Sequence, residues 1–135
     1  MIQRIQSIFL ALAILCTLSV VFTPIYDRAM EDPQNWIGIG LSASLLIAML
    51  LDIISIGLYQ KRKNQISWVK RAMAFQVIGI GFGLGVLFSL GGIGTYLWDE
   101  AIGCGLAVLA LIFQILALRS INKDEKLVRS IDRIR

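Results

Sequence analysis

The chain has no histidine, two prolines and two cysteines, and only 16% of its residues are charged. Without histidine there is no Ser-His-Asp or Cys-His pairing and no imidazole ligand for a metal. Cys16 and Cys104 fall in different apolar runs, at depths that differ by roughly 5 Å at 1.5 Å rise per residue. Two buried free thiols are therefore expected, not a disulfide. Ser42, Ser44, Ser55 and Ser89 have no basic partner, so their hydroxyls are expected to bond to backbone or to a neighbouring helix. No metal, cofactor or catalytic residue is expected.

The composition that fills these gaps is apolar: 57% hydrophobic residues and a mean hydropathy of +0.76. A soluble domain carries about 25% charged and about 45–50% apolar residues. The charges sit in short islands between long uncharged runs at 5–23, 33–51 with 53–60, 72–98 and 101–118. A helix needs roughly 20 residues to cross a hydrocarbon core of ~30 Å. The expected fold is all-α: four transmembrane helices, at about 5–23, 36–59, 72–97 and 101–118, forming one domain over 1–118. The first run continues to Phe22 with no small-x-small cleavage signal before Pro24, and Leu15 before Cys16 spoils a lipoprotein signal. It is read as a permanent span.

Twelve of the thirteen basic residues fall on one side of such a four-span thread. They are Arg4, five in QKRKNQISWVKR (60–71), and six in the tail from Arg119. The loops YDRAMEDPQ and WDE are acidic. The positive-inside rule then places both termini in the cytoplasm. Trp36, Tyr96 and Trp98 mark the outer interface, Tyr59 and Trp68 the inner one. The net charge of +4 reports topology and attraction to lipid headgroups, not nucleic acid.

Residues 77–94, VIGIGFGLGVLFSLGGIG, hold seven of the twelve glycines. No Gly-x-Gly-x-x-Gly register fits, and there is no lysine for a phosphate loop. Unwound backbone in lipid would leave its polar groups unpaired, so the segment is expected to be helical. At about 100° per residue, Gly79 and Gly83 share one face, with Gly81 and Gly85 nearly opposite. Two Gly-x-x-x-Gly faces would let two neighbours approach the third span closely. A break at Gly91-Gly92 is the alternative.

On the second span Gly40, Ser44, Ala48 and Asp52 follow at i+4 steps, with Ser55 and Tyr59 continuing the stripe. Asp52 lies about 12 Å deep, where an ionisable group is expensive and marks a functional candidate. No span holds Lys, Arg or His, so a neutral Asp52 is expected to donate to Ser55, Gln76, Gln114 or a carbonyl. Gln76 and Gln114 are expected at similar depth. Residues 119–135 read as a separate cytoplasmic helix. Asn122 and Glu125 would form its capping box, and Leu127, Ile131 and Ile134 its apolar face, lying on lipid or on a partner.

The opening MIQRIQSIFL and the closing DEKLVRSIDRIR resemble a family of small bacterial four-helix inner-membrane proteins of unknown function. The resemblance implies a fold and a compartment, the bacterial cytoplasmic membrane, and no activity. It points to Gln3, Arg4 and Gln6 with Arg129, Asp132 and Arg133 as candidate docking residues, alongside Leu127 and Ile131. Arg4 is expected to lie near Asp132 or Glu125. The function expected is a non-catalytic accessory or assembly subunit of a membrane complex. A small oligomeric transporter or channel subunit using Asp52 is the alternative, and an intramembrane enzyme ranks last. Expected partners are lipid, another membrane protein or further copies of the chain.

Overall fold

A computed structural model of the chain describes residues 2–31, 36–89 and 98–134, with residues 2–4 described as backbone alone. Among the described residues every regular element is a helix. They are α1 (Ile2–Val20), α2 (Pro24–Met30), α3 (Trp36–Gly57), α4 (Arg62–Ser89) and α5 (Trp98–Asp132).

The four long helices form a ring in which α1 lies on α3, α3 on α4, α4 on α5 and α5 on α1. The reason is written in the buried positions. On α4 they run through Gln65, Val69, Ala72, Gln76, Gly79, Gly83 and Val86, with Leu87 buried beside the last. On α5 they run through Glu100, Gly103, Ala107, Ala110, Gln114, Ala117, Ile121 and Asp124, with Cys104 buried beside Gly103. Both series alternate steps of three and four. The buried Gln6, Leu10, Ala13, Thr17 and Val20 of α1 do the same. A repeat averaging 3.5 residues keeps one seam facing the partners along the whole helix, the pattern of left-handed bundle packing.

What fills these seams is unusual for a water-soluble bundle. The interior mixes alanines and polar side chains with two apolar clusters, while Ile8, Leu15, Leu46, Leu50, Ile54, Val77, Ile78, Leu84, Val108 and Ile112 are exposed. In water such a helix would turn its apolar stripe inward. In lipid the hydrophobic drive between helices is gone, and small residues with a few polar ties hold them together. By length and composition α3, α4 and α5 can cross a membrane. The segment Ile5–Val20 with Pro24–Met30, bent by 55° at the break between them, makes a fourth candidate if taken as one span.

Three boundaries differ from the sequence reading. The first loop contains α2, which starts with Thr23 at its N-cap and Pro24 in its first turn. Proline is suited to that position, where its missing N–H costs nothing. Its Ile25 is seated at Gly103 and Gly83, where added Cβ atoms would meet it. Second, α4 begins at Arg62, so the basic segment supplies its first turns and not a loop. Residues 90–97, with the Gly91-Gly92 break and Tyr96, lie outside the described residues.

Third, α5 runs unbroken from Trp98 to Asp132. The separate tail helix is not formed, and Asn122 is an interior helical residue and not a cap. Nothing in RSINKDEK interrupts a helix, and the seam continues through Ala117, Ile121 and Asp124, so α5 keeps a packing face past residue 118.

Candidate functional site

Two hydrogen bonds cross the middle of the ring. Gln114 on α5 donates from Nε2 to Asp52 Oδ2 on α3 at 2.7 Å. Gln76 on α4 donates to the Ala107 carbonyl at 3.1 Å, and the single hydroxyl proton of Thr17 on α1 is shared between the Ala13 carbonyl of its own helix at 2.9 Å and Gln76 Oε1 at 3.3 Å. The α3–α5 and α1–α4 pairs sit on the diagonals of the ring. Such reach across a bundle requires small neighbours, and Ala13, Ala48, Ala72, Ala107 and Ala110 supply them, all buried.

Asp52 and Gln114 are 1% and 0% exposed. Each keeps one buried oxygen without a partner among the described residues, Asp52 Oδ1 and Gln114 Oε1. The pair therefore lacks a single donor, which a neutral Asp52 carboxyl would supply, closing a two-bond acid–amide pair. Ser55 turns away and donates to its own helix at Leu51 O, 2.8 Å. Of the four polar residues singled out in the sequence, Asp52 and Gln114 pair with each other, Gln76 bonds to the Ala107 carbonyl with Thr17 at its oxygen, and Ser55 joins neither. Gln76 and Gln114 are not level: Gln76 sits at Ala107, two turns along α5 from Gln114. The depth count had started the third span at 72, whereas α4 starts at Arg62.

The small-residue faces also resolve. Ser44 and Ala48 are buried with Asp52 and Ser55 on the inner face of α3, whereas Tyr59 is exposed in the turn beyond. Gly79 faces Leu45 and Ser44, Gly83 faces Cys104, and Gly40 faces the ring of Phe82. Among the described residues, Gly81 and Gly85 meet nothing within 4 Å of an added Cβ. They are not contacts within the bundle, contrary to the two-faced packing expected. Both lie on the outside of α4, on the floor of a groove of about 440 Å³ walled by Trp36, Ile37, Ile78 and Phe82. Cys16 and Cys104 are free thiols.

At one end of the ring a polar layer closes the interior. Gln6 on α1 donates from Nε2 to Asp124 Oδ2 on α5. Gln65 on α4 is buried as well, and Gln65 Oε1 and Asp124 Oδ1 have no partner among the described residues. Each of the three stands one turn beyond a member of the apolar cluster Leu10, Val69, Ala117 and Ile121. Gln6, expected at a docking surface, is thus an interior tie. Gln3 and Arg4 have no described side chain. Glu125 binds Arg129 at 2.8 Å, and Leu127 and Ile131 are exposed, as are Asp132 and Arg133.

At the other end Arg28 of α2 reaches the buried Glu100 of α5 at 3.6 Å. Thr17, Gln65 and Glu100 were not singled out from the sequence, and Asp124 was expected only to favour the dipole of a tail helix, not to be buried. The signal for three of them is the step of three or four from Ile121, Val69 and Gly103.

Three helices long and apolar enough to cross a membrane, or four if the bent first segment is one span, around an interior of small, apolar and polar residues, give the class: an all-helical bundle compatible with a membrane protein. Within that class the chain belongs to a family described as a domain of unknown function (DUF4293), whose model matches residues 28–134. The closing DEKLVRSIDRI lies within the match and the opening MIQRIQ before it. No curated protein and no solved structure matches the chain.

Proposed function

We propose that the chain is an integral protein of the bacterial inner membrane, crossing four times with both termini in the cytoplasm. Its role is that of a non-catalytic accessory or assembly subunit of a larger membrane complex. The threading is supported by the basic residues at one end of the ring and by exposed Trp36, Trp98 and Tyr59 near the helix ends. In a chain freed of its own two cysteines, a cysteine at Glu31 should react with an impermeant thiol reagent added to intact cells. One at Asn64 should stay unlabelled. Equal labelling of the two would sink the threading.

The accessory role rests on one observation, the open Gly81/Gly85 face. Asp52 and Gln114, and Gln6 and Asp124, bind each other in the interior, whereas this face offers a Gly-x-x-x-Gly floor walled by Trp36, Ile37, Ile78 and Phe82 to a helix of another membrane protein. Gly81→Leu should leave the melting temperature in mild detergent unchanged or raised, since nothing stands in its way. It should also abolish recovery of a stoichiometric partner chain that the unaltered protein retains. Retention of that partner by Gly81→Leu would end this reading. A second reading, a small oligomeric transporter or channel subunit, is favoured by the unpartnered oxygens of Asp52 and Gln114. Recovery of nothing but copies of the chain would favour it.

A further inference from the structure

The Gln6–Asp124 end of the ring carries a second feature, on its outside. A pocket of about 750 Å³ opens between the α3–α4 turn and the last turns of α5. Lys61, Arg62 and Lys63 line one wall, and Glu125, Val128 and Arg129 the other. Arg129 and Glu125 neutralise each other through their 2.8 Å ion pair. Lys61, Arg62 and Lys63 form no ion pair among the described residues, so the pocket holds three uncompensated positive charges. Of the other acids at this end of α5, Asp124 is buried and engaged by Gln6, and Asp132 is exposed beyond the residues that line the pocket.

Position decides what kind of anion this fits. The pocket sits where the apolar exterior of α3 ends, and Tyr59 and Val128, both substantially exposed, give its rim apolar surface. A soluble anion gains nothing from that rim, whereas a lipid presents its phosphate and its glycerol and acyl carbons together. Basic pockets at the ends of membrane helices draw anionic headgroups in this way.

We propose that the pocket formed by Lys61, Arg62 and Lys63 against α5 is a binding site for the phosphate headgroup of an anionic phospholipid. The inference rests on the membrane-spanning reading above and adds a ligand to it.

The test is thermal melting of the full chain in a neutral detergent, with phosphatidylglycerol or phosphatidylcholine added at equal concentration. Phosphatidylglycerol should raise the melting temperature by about 5 °C at saturation, and phosphatidylcholine by less than a third of that. The K61Q/R62Q/K63Q variant should melt like the parent without lipid and lose the difference between the two lipids. K70Q/K123Q/K126Q removes the same charge from exposed positions outside the pocket, and should keep it. Equal shifts from both lipids would overturn the proposal, as would a preference surviving in K61Q/R62Q/K63Q. The same rise with millimolar inorganic phosphate would make this a soluble-anion site and overturn the assignment to lipid. Should the spanning reading be at fault, the cysteines at Glu31 and Asn64 would label alike, which the melting in detergent does not affect.

Discussion

Asp52→Leu should lower the stability of the detergent-solubilised protein by about 1–3 kcal/mol, the cost of leaving a buried amide without its partner. The diagonal bond from Gln114 would be lost, and both polar atoms of that amide would face hydrocarbon. Asp52→Asn should stay within about 0.5 kcal/mol, below the average interhelical hydrogen bond in a membrane bundle. An asparagine can accept from Gln114 Nε2 and return a donor to Gln114 Oε1, filling the two vacancies that the aspartate leaves. The pair Asp52→Leu with Gln114→Leu should recover much of the single-mutant loss, because no orphan remains. Reversible thermal melting of the four proteins decides the matter. If Asp52→Leu melts with the parent, the tie contributes nothing. If Asp52→Asn is stable yet abolishes a growth phenotype of the intact gene, the titratable proton is needed and the transport reading takes over.

The second large effect separates two glycines two positions apart. Gly79→Leu and Gly81→Leu make the same chemical change in one helix and gain the same intrinsic helix propensity, close to 1 kcal/mol. At Gly79 even a Cβ would lie 2.6 Å from Leu45 Cδ2 and 3.1 Å from Ser44 Oγ. A whole leucine must push α3 away from α4. Overpacking of a tight core costs typically about 1–3 kcal/mol, so Gly79→Leu should be destabilised or should fail to accumulate. Gly79→Ala, which Leu45 can accommodate by turning its flexible end, should lose much less. Comparable melting of Gly79→Leu and Gly81→Leu would show that α3 and α4 do not approach as described.

These contrasts show where the sequence was readable. Long apolar runs with segregated charge announce helices for a membrane, because the ~30 Å of hydrocarbon imposes length and composition at once. Periodicity placed Asp52 on an inward face with Ser44 and Ala48, and placed Gly79 opposite Gly81. It could not say which glycine face packs, since both are equally small and the partners are set by the ring. Gln114 was among the candidates for Asp52, but Gln76 stood beside it on equal terms. Hydropathy begins the third span at 72, whereas the helix begins ten residues earlier at Arg62. Basic side chains hide a helical turn from a hydropathy count without interrupting its backbone. For the same reason the charged stretch after residue 118 looked like a separate tail, though every third or fourth residue of it stays buried as far as Asp124.

That unbroken helix has a mechanical meaning. At 1.5 Å per residue the 35 residues of α5 span about 52 Å, well beyond a hydrocarbon core of ~30 Å. Gln6 clamps it at Asp124, and only the last two turns stand clear of the ring. Arg129 and Ile131 therefore have a fixed height and a fixed compass bearing relative to α1 and α4. The last turns of α5 continue its helix and do not form a loose tether. A partner of the kind proposed would meet them at a set angle as well as by residue type. One alanine inserted after Lys126 would leave the charge intact and swing the tip by about 100°.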